Sequence, residues 1–171
     1  MRRLVFCLLS SFFISMSAGA WAADAVKEDP TLANLQKMVY NLGYTTTLSP
    51  TGRSFRFKWQ ANNYSFIVNL QVDPKKTIAY AYVNIDDYDQ QELTKLNLVK
   101  LLEANNAADF YFSLMPDLDG KTEDLLGNAI IPLNGITPED LRLKLSVLIY
   151  YLDTSGDLWD KELWKKKQAQ D

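Results

Sequence analysis

Between residues 45 and 85 the apolar residues recur at every second position, and short turn clusters interrupt them. Phe55, Phe57 and Trp59 alternate with Arg56 and Lys58, and Phe66, Val68, Leu70 and Val72 alternate with Asn69 and Gln71. Residues 78–85 continue as an aromatic and branched run, and 45–48 is a shorter β-branched one. Ser49-Pro50-Thr51-Gly52, Asn62-Asn63 and Asp73-Pro74-Lys75-Lys76 separate the runs. Period two sends alternate side chains to opposite faces, and strands joined by turns this short pair antiparallel. The segment predicts a meander of three or four strands.

Helical spacing flanks this block. Asp29-Pro30 supplies a cap and a first-turn proline, Leu32, Leu35, Val39 and Leu42 share a face, and Gly43 stops the run, predicting a helix over 30–42. Asp89-Gln90-Gln91-Glu92 has capping-box spacing, and Leu93, Leu96, Leu98, Leu101 and Leu102 carry a helix to about 104. Strands follow over 110–115 and 125–133. Asn134-Gly135 breaks the second, and Thr137-Pro138-Glu139-Asp140 opens a helix to about 152. That helix has one apolar face from Leu141, Leu145, Leu148, Ile149 and Leu152, and a second from Leu143, Val147, Tyr150 and Tyr151. Such a helix is deeply buried or shared with a partner. Leu158, Trp159, Leu163 and Trp164 then predict a short amphipathic tail helix over 156–171. The order α-β-β-β-α-β-β-α plus tail defines a single α+β domain, 30–155, with a mostly antiparallel sheet.

The N-terminus reads as a secretory signal peptide. Met1-Arg2-Arg3 is basic, the stretch from Leu4 to Ile14 is apolar, and Ala20-Trp21-Ala22 places small residues for cleavage after Ala22. The apolar part falls short of the roughly 20 residues that a membrane span needs. The expectation is a periplasmic or secreted protein with a flexible leader over 23–29 and no stable membrane insertion. Cleavage removes Cys7, the only cysteine, so no disulfide can form in the exported chain. It also removes Arg2 and Arg3 from a chain whose formal charge is already −3, which makes nucleic acid a poor partner.

Composition excludes much chemistry. With no histidine, and no cysteine after cleavage, there is no Ser-His-Asp or Cys-His pair, no His-ligated metal and no redox couple. No phosphate-binding or nucleophile motif occurs. A calcium loop starting at Asp117 would need an oxygen ligand at Lys121, Gly at Thr122 and Glu at Asn128, and one starting at Asp153 would need Gly at Leu158. Asp86, Asp87 and Asp89 stand where a helix N-terminus favours negative charge. The expectation is a chain that is not an enzyme and uses no metal or cofactor.

The residues Ala108-Asp109-Phe110-Tyr111-Phe112-Ser113, Ile130-Ile131-Pro132-Leu133 and Asn134-Gly135-Ile136-Thr137-Pro138-Glu139-Asp140-Leu141 resemble the YbjN family. The loop over 117–124, the tryptophan tail and the leader are longer than, or additional to, the usual family pattern. The family's fold is that of the type III secretion chaperones. The resemblance implies a non-catalytic module that binds extended polypeptide, in a fold that often pairs into dimers, with relatives described as sensory or stress-linked regulators.

The aromatic residues are the candidate partner-binding set. Tyr80 and Tyr82 share one strand face, and if it lies opposite the core they form a docking surface. Tyr150 and Tyr151 lie on the second face of the last long helix. Trp159 and Trp164 either fold back onto the sheet or anchor a partner. Two functional readings follow. One is an exported, chaperone-like or regulatory module holding another exported polypeptide, with homodimerisation. The other is a small-ligand or glycan-binding module using the tyrosines.

Overall fold

The computed structural model describes residues 29–105, 110–117 and 120–168, with side chains to Lys166. The expected signal peptide, the leader up to residue 28, and Ala108 and Asp109 of the quoted motif lie outside the described residues.

The helix predicted at the start is α1 (Pro30–Asn41). The Asp29 carboxylate accepts the Thr31 N–H at 2.8 Å, and Gly43 adopts φ +95°, the left-handed stop that glycine allows. The meander is β1 (Thr46–Leu48), β2 (Ser54–Gln60), β3 (Ser65–Val72) and β4 (Ile78–Tyr88). The last strand runs three residues past its predicted end, beyond a bulge between Asn84 and Asp86.

Two predicted helices are each divided in two. The second becomes α2 (Gln90–Leu93) and α3 (Leu98–Ala104). Asp89 and Glu92 form the capping box of α2, while the Asn97 side chain caps α3 by accepting the Lys100 N–H at 3.0 Å. The chain therefore restarts its helix at Asn97. Next come β5 (Phe110–Pro116), β6 (Glu123–Pro132) and α4 (Pro138–Thr154), whose cap is the reciprocal Thr137–Asp140 pair. The tail is α5 (Gly156–Trp159) and α6 (Lys161–Gln168), broken at extended Asp160.

One open sheet of six antiparallel strands results, in the order β1-β2-β3-β4-β6-β5. Its inner face carries Phe55, Phe57, Phe66, Val68, Leu70, Ala79, Ala81, Val83, Ala129 and Ile131, all buried in one core with residues of α1, α4 and α5. The middle of that face is lined with small residues. Ala81 pairs with Ala129 and Val83 with Gly127, and a Cβ on Gly127 would stand 2.5 Å from the Leu152 Cδ2 of α4. Small side chains on β4 and β6 thus set how closely α4 lies on the sheet. The protein is a single-domain α+β fold.

Candidate functional site

Because Ala79 and Ala81 face inward, Tyr80 and Tyr82 face outward. Register then fixes their neighbours. Across the outer face one row reads Thr47, Arg56, Asn69, Tyr82, Asn128 and Tyr111, and the next contains Ser54, Gln71, Tyr80 and Ile130. Ile67 lies opposite Lys58 in a third row. Tyr80 and Ile67 are 38% and 47% exposed, and Tyr82 is half-buried between its row neighbours. The face offers aromatic and aliphatic contact set among amides and hydroxyls. A hollow of about 350 Å³ opens at its β1–β2 margin, walled by Thr47, Pro50, Ser54, Arg56 and Asn69.

The tail tryptophans fold back. Trp159 is 6% exposed, its ring 4.6 Å from Tyr64 and 6.4 Å from Phe66, so it joins the core and drops out of the candidate partner-binding set. Its indole N–H donates to Ser155 Oγ at 3.2 Å, which satisfies the one polar atom that burial would otherwise strand. Trp164 lies half-buried against Tyr88, with ring centroids 6.0 Å apart. Burial next to this apolar side chain raises the Tyr88 hydroxyl pKa far above its usual value, with help from Asp86, Glu92, Asp160 and Asp87, and the hydroxyl donates to the Trp159 carbonyl.

Lys161 closes the clasp. Its Nζ lies 2.9 Å from Glu92, 3.5 Å from Asp86 and 4.6 Å from the centre of the Tyr88 ring, and donates to the Asp87 carbonyl. Burial works against its charge, but the two carboxylates outweigh that and its pKa is raised. Asp86 is raised as well, because burial outweighs its pairing with Lys161. The acidic run at 86–89 is therefore partly neutralised by the tail and partly used in capping, and among the described residues no group of three acidic side chains could hold a metal.

A second tail contact comes from the β2–β3 hairpin. Asp153, 7% exposed at the end of α4, accepts the N–H groups of Asn63 and Tyr64 at 2.9 and 3.1 Å and the Asn63 Nδ2 at 3.1 Å. The Tyr64 hydroxyl donates to Asp160 at 2.8 Å; burial first, then this bond, pushes its pKa up to about 12. A Cβ on Gly156 would overlap that hydroxyl, so the turn needs glycine there.

On α4, Tyr151 stacks on Phe110 with centroids 5.2 Å apart, whereas Tyr150, Leu143 and Val147 form an exposed stripe. Another apolar surface escaped the sequence reading. Leu98 and Leu102 of α3 and Leu114 of β5 are exposed around a hollow of about 120 Å³ floored by Leu101, Phe112 and Leu125, and Val99 stands exposed beside them on α3. The signal was present: apolar residues at 98, 99, 101 and 102 spread over about 160° of the helix circumference, a wide arc for so short a helix to bury against one neighbour. The adjoining free edge of β5 is guarded. The Asn105 side chain accepts the Phe112 N–H and donates to the Phe112 carbonyl at 3.1 Å, and Pro116 ends the strand without an N–H.

Fold and surfaces together define an α+β protein with a one-sided sheet. No family model, no curated protein and no solved structure matches the chain. Among the described residues no helix is long and apolar enough to cross a membrane.

Proposed function

We propose that this chain is an exported, non-catalytic module that holds a partner polypeptide on the outer face of its sheet. The observation that carries the reading is the one-sided sheet. Its inner face is covered by α1 and α4, while Tyr80, Ile67 and Ile130 stand exposed outside among Asn69, Gln71 and Asn128. Tyrosine and amide side chains suit a docking face because they offer contact area without requiring desolvation when empty. The resemblance to the YbjN family and its chaperone-type fold points the same way.

The test is site-specific photo-crosslinking in cells, with the reactive residue placed at Tyr80 or Ile67 and, as control, at exposed Leu143 on α4. A small, reproducible set of exported polypeptides crosslinked from the sheet positions only, and competed by unlabelled protein, supports the reading. Crosslinking equal from both surfaces, or absent from the sheet, overturns it. A small ligand or glycan would use the same tyrosines; saturable binding of such a compound at Tyr80 with no crosslinked polypeptide would favour that alternative.

Self-association is a second reading, favoured by the apolar α3–β5 hollow. Exposed Leu98, Leu102 and Leu114, with Val99 beside them, are side chains that an interface core buries. Sedimentation should give a dimer that Leu102→Glu converts to monomer. A wild-type monomer at high concentration would rule this out.

A further inference from the structure

The outer sheet face differs in charge from the rest of the molecule. Following the register from β1 to β6, its outward residues are Thr47; Ser54, Arg56, Lys58 and Gln60; Ser65, Ile67, Asn69 and Gln71; Ile78, Tyr80, Tyr82 and Asn84; Leu126, Asn128, Ile130 and Pro132. None of these is acidic, although the chain as a whole carries 21 acidic against 18 basic residues. Acidic side chains reach this side only beyond the bulge, where Asp87 pairs with Asp124 across β4 and β6. Arg56 and Lys58 are both exposed, and neither takes part in any of the ion pairs of the described residues. Lys76, Lys161 and Lys165, by contrast, each hold a carboxylate at 2.9 Å or less.

Two unpaired cations therefore sit side by side on β2, next to the hollow at the β1–β2 margin. Arg56 is two strands from Tyr82 in the same row, a separation of about 10 Å at the usual strand spacing. Ile67 lies directly opposite Lys58. Charge and apolar contact are thus offset across the face.

Resting on the reading that the sheet face holds polypeptide, we infer that the segment it takes is acidic. Its carboxylates meet Arg56 and Lys58, and its apolar side chains lie on Ile67, Tyr80 and Tyr82. A basic segment would set like charges against β2 and carry nothing to meet them. The guanidinium of Arg56 can take a carboxylate through two parallel hydrogen bonds, which fixes orientation as well as charge.

The probes are two labelled synthetic peptides of equal length that alternate Leu or Tyr with Glu in one and with Lys in the other. Binding to the purified full-length protein is read by fluorescence anisotropy. The Glu peptide should bind, weaken as salt rises, and lose about tenfold in affinity in the R56E/K58E double variant. Both positions are exposed, so the fold should survive, and an unchanged circular dichroism spectrum checks this. Reversal of exposed Lys37 and Lys95 makes the same change in net charge elsewhere and should leave affinity within about twofold. Equal binding of the Lys peptide, or equal losses in the two double variants, overturns the acidic preference while the sheet reading stands. Binding of neither peptide, with Tyr80→Ala leaving the cell crosslinks unchanged, overturns both.

Discussion

Replacing Asp153 by alanine should be among the more costly single changes in the molecule. The carboxylate joins parts of the chain 89 and 90 residues apart, accepting the backbone N–H groups of Asn63 and Tyr64 and the Asn63 side-chain amide. Alanine removes the acceptor and leaves the donors in place. A buried donor left unsatisfied costs about 1–3 kcal/mol. The turn at Asn62 and Asn63 is exposed and borders an open hollow, so water can satisfy part of the deficit. That places the loss at about 3 kcal/mol, toward the lower end for two backbone donors. For a domain of this size the midpoint of thermal unfolding should fall by about 6–12 °C.

Urea unfolding followed by circular dichroism measures the change directly. Asp153→Asn tests the geometry, because one oxygen remains for the backbone donors while an amide replaces the acceptor facing Asn63 Nδ2. It should lie between alanine and wild type. Asn63→Ala combined with Asp153→Ala should give a coupling of about 0.5–3 kcal/mol, as expected of residues sharing hydrogen bonds. A loss below about 1 kcal/mol for Asp153→Ala, or strict additivity with Asn63→Ala, would refute the view that this carboxylate fastens the hairpin to α4.

Gly127→Ala should destabilise the fold by about 1–3 kcal/mol, since the new methyl group would press on fully buried Leu152; urea unfolding indistinguishable from wild type would mean that α4 can lift off the sheet at little cost. Acid should weaken the fold. The carboxyls of Asp29, hydrogen-bonded by Lys76, of Asp73, bonded by the Ile78 N–H, and of Asp140, bonded by the Thr137 hydroxyl, are all held below the usual 3.8. A depressed folded-state pKa contributes stability above 3.8 that is lost as pH falls through the lower folded values, so the unfolding midpoint should drop between about pH 5 and pH 2. Asp86 acts in the opposite direction, because its raised pKa favours the protonated folded state, and Asp86→Asn should steepen the drop.

What the sequence made legible was mostly local. The caps at Asp29, Asp89 with Glu92, and Thr137 with Asp140 depend on residues within one turn, and each forms as its spacing predicts. The outward placement of Tyr80 and Tyr82 was also within reach, because alanine occupies the inward positions 79 and 81, and a helix can lie close only over small residues. The division of the second helix turned on Asn97, whose side chain can cap a new helix as readily as it can sit inside an old one. The tail was open in sequence for another reason. Whether Trp159 anchors a partner or fills the core depends on Tyr64 and Phe66, which lie on a hairpin far away along the chain. Asp153 is the extreme case: its partners are two residues of a turn whose position follows only from the sheet.

The two open surfaces make different demands on whatever covers them. The α3–β5 hollow is almost wholly apolar, so leaving it bare exposes Leu98, Leu102 and Leu114 to water, and covering it is favourable by the area removed. Such a surface suits a partner that stays, and Asn105 guards the strand edge beside it against casual pairing. The outer sheet face is different. Its amides and hydroxyls are solvated when empty, Tyr80 and Ile67 are separated by polar neighbours, and its two cations are hydrated until a carboxylate arrives. Little is lost when that face is vacant, so contact there can form and break as the partner exchanges. A stable pairing at α3–β5 and an exchangeable acidic segment on the sheet are therefore compatible in one molecule. The hollow lies beside the β5 edge and Arg56 on β2, with β3, β4 and β6 between these two strands.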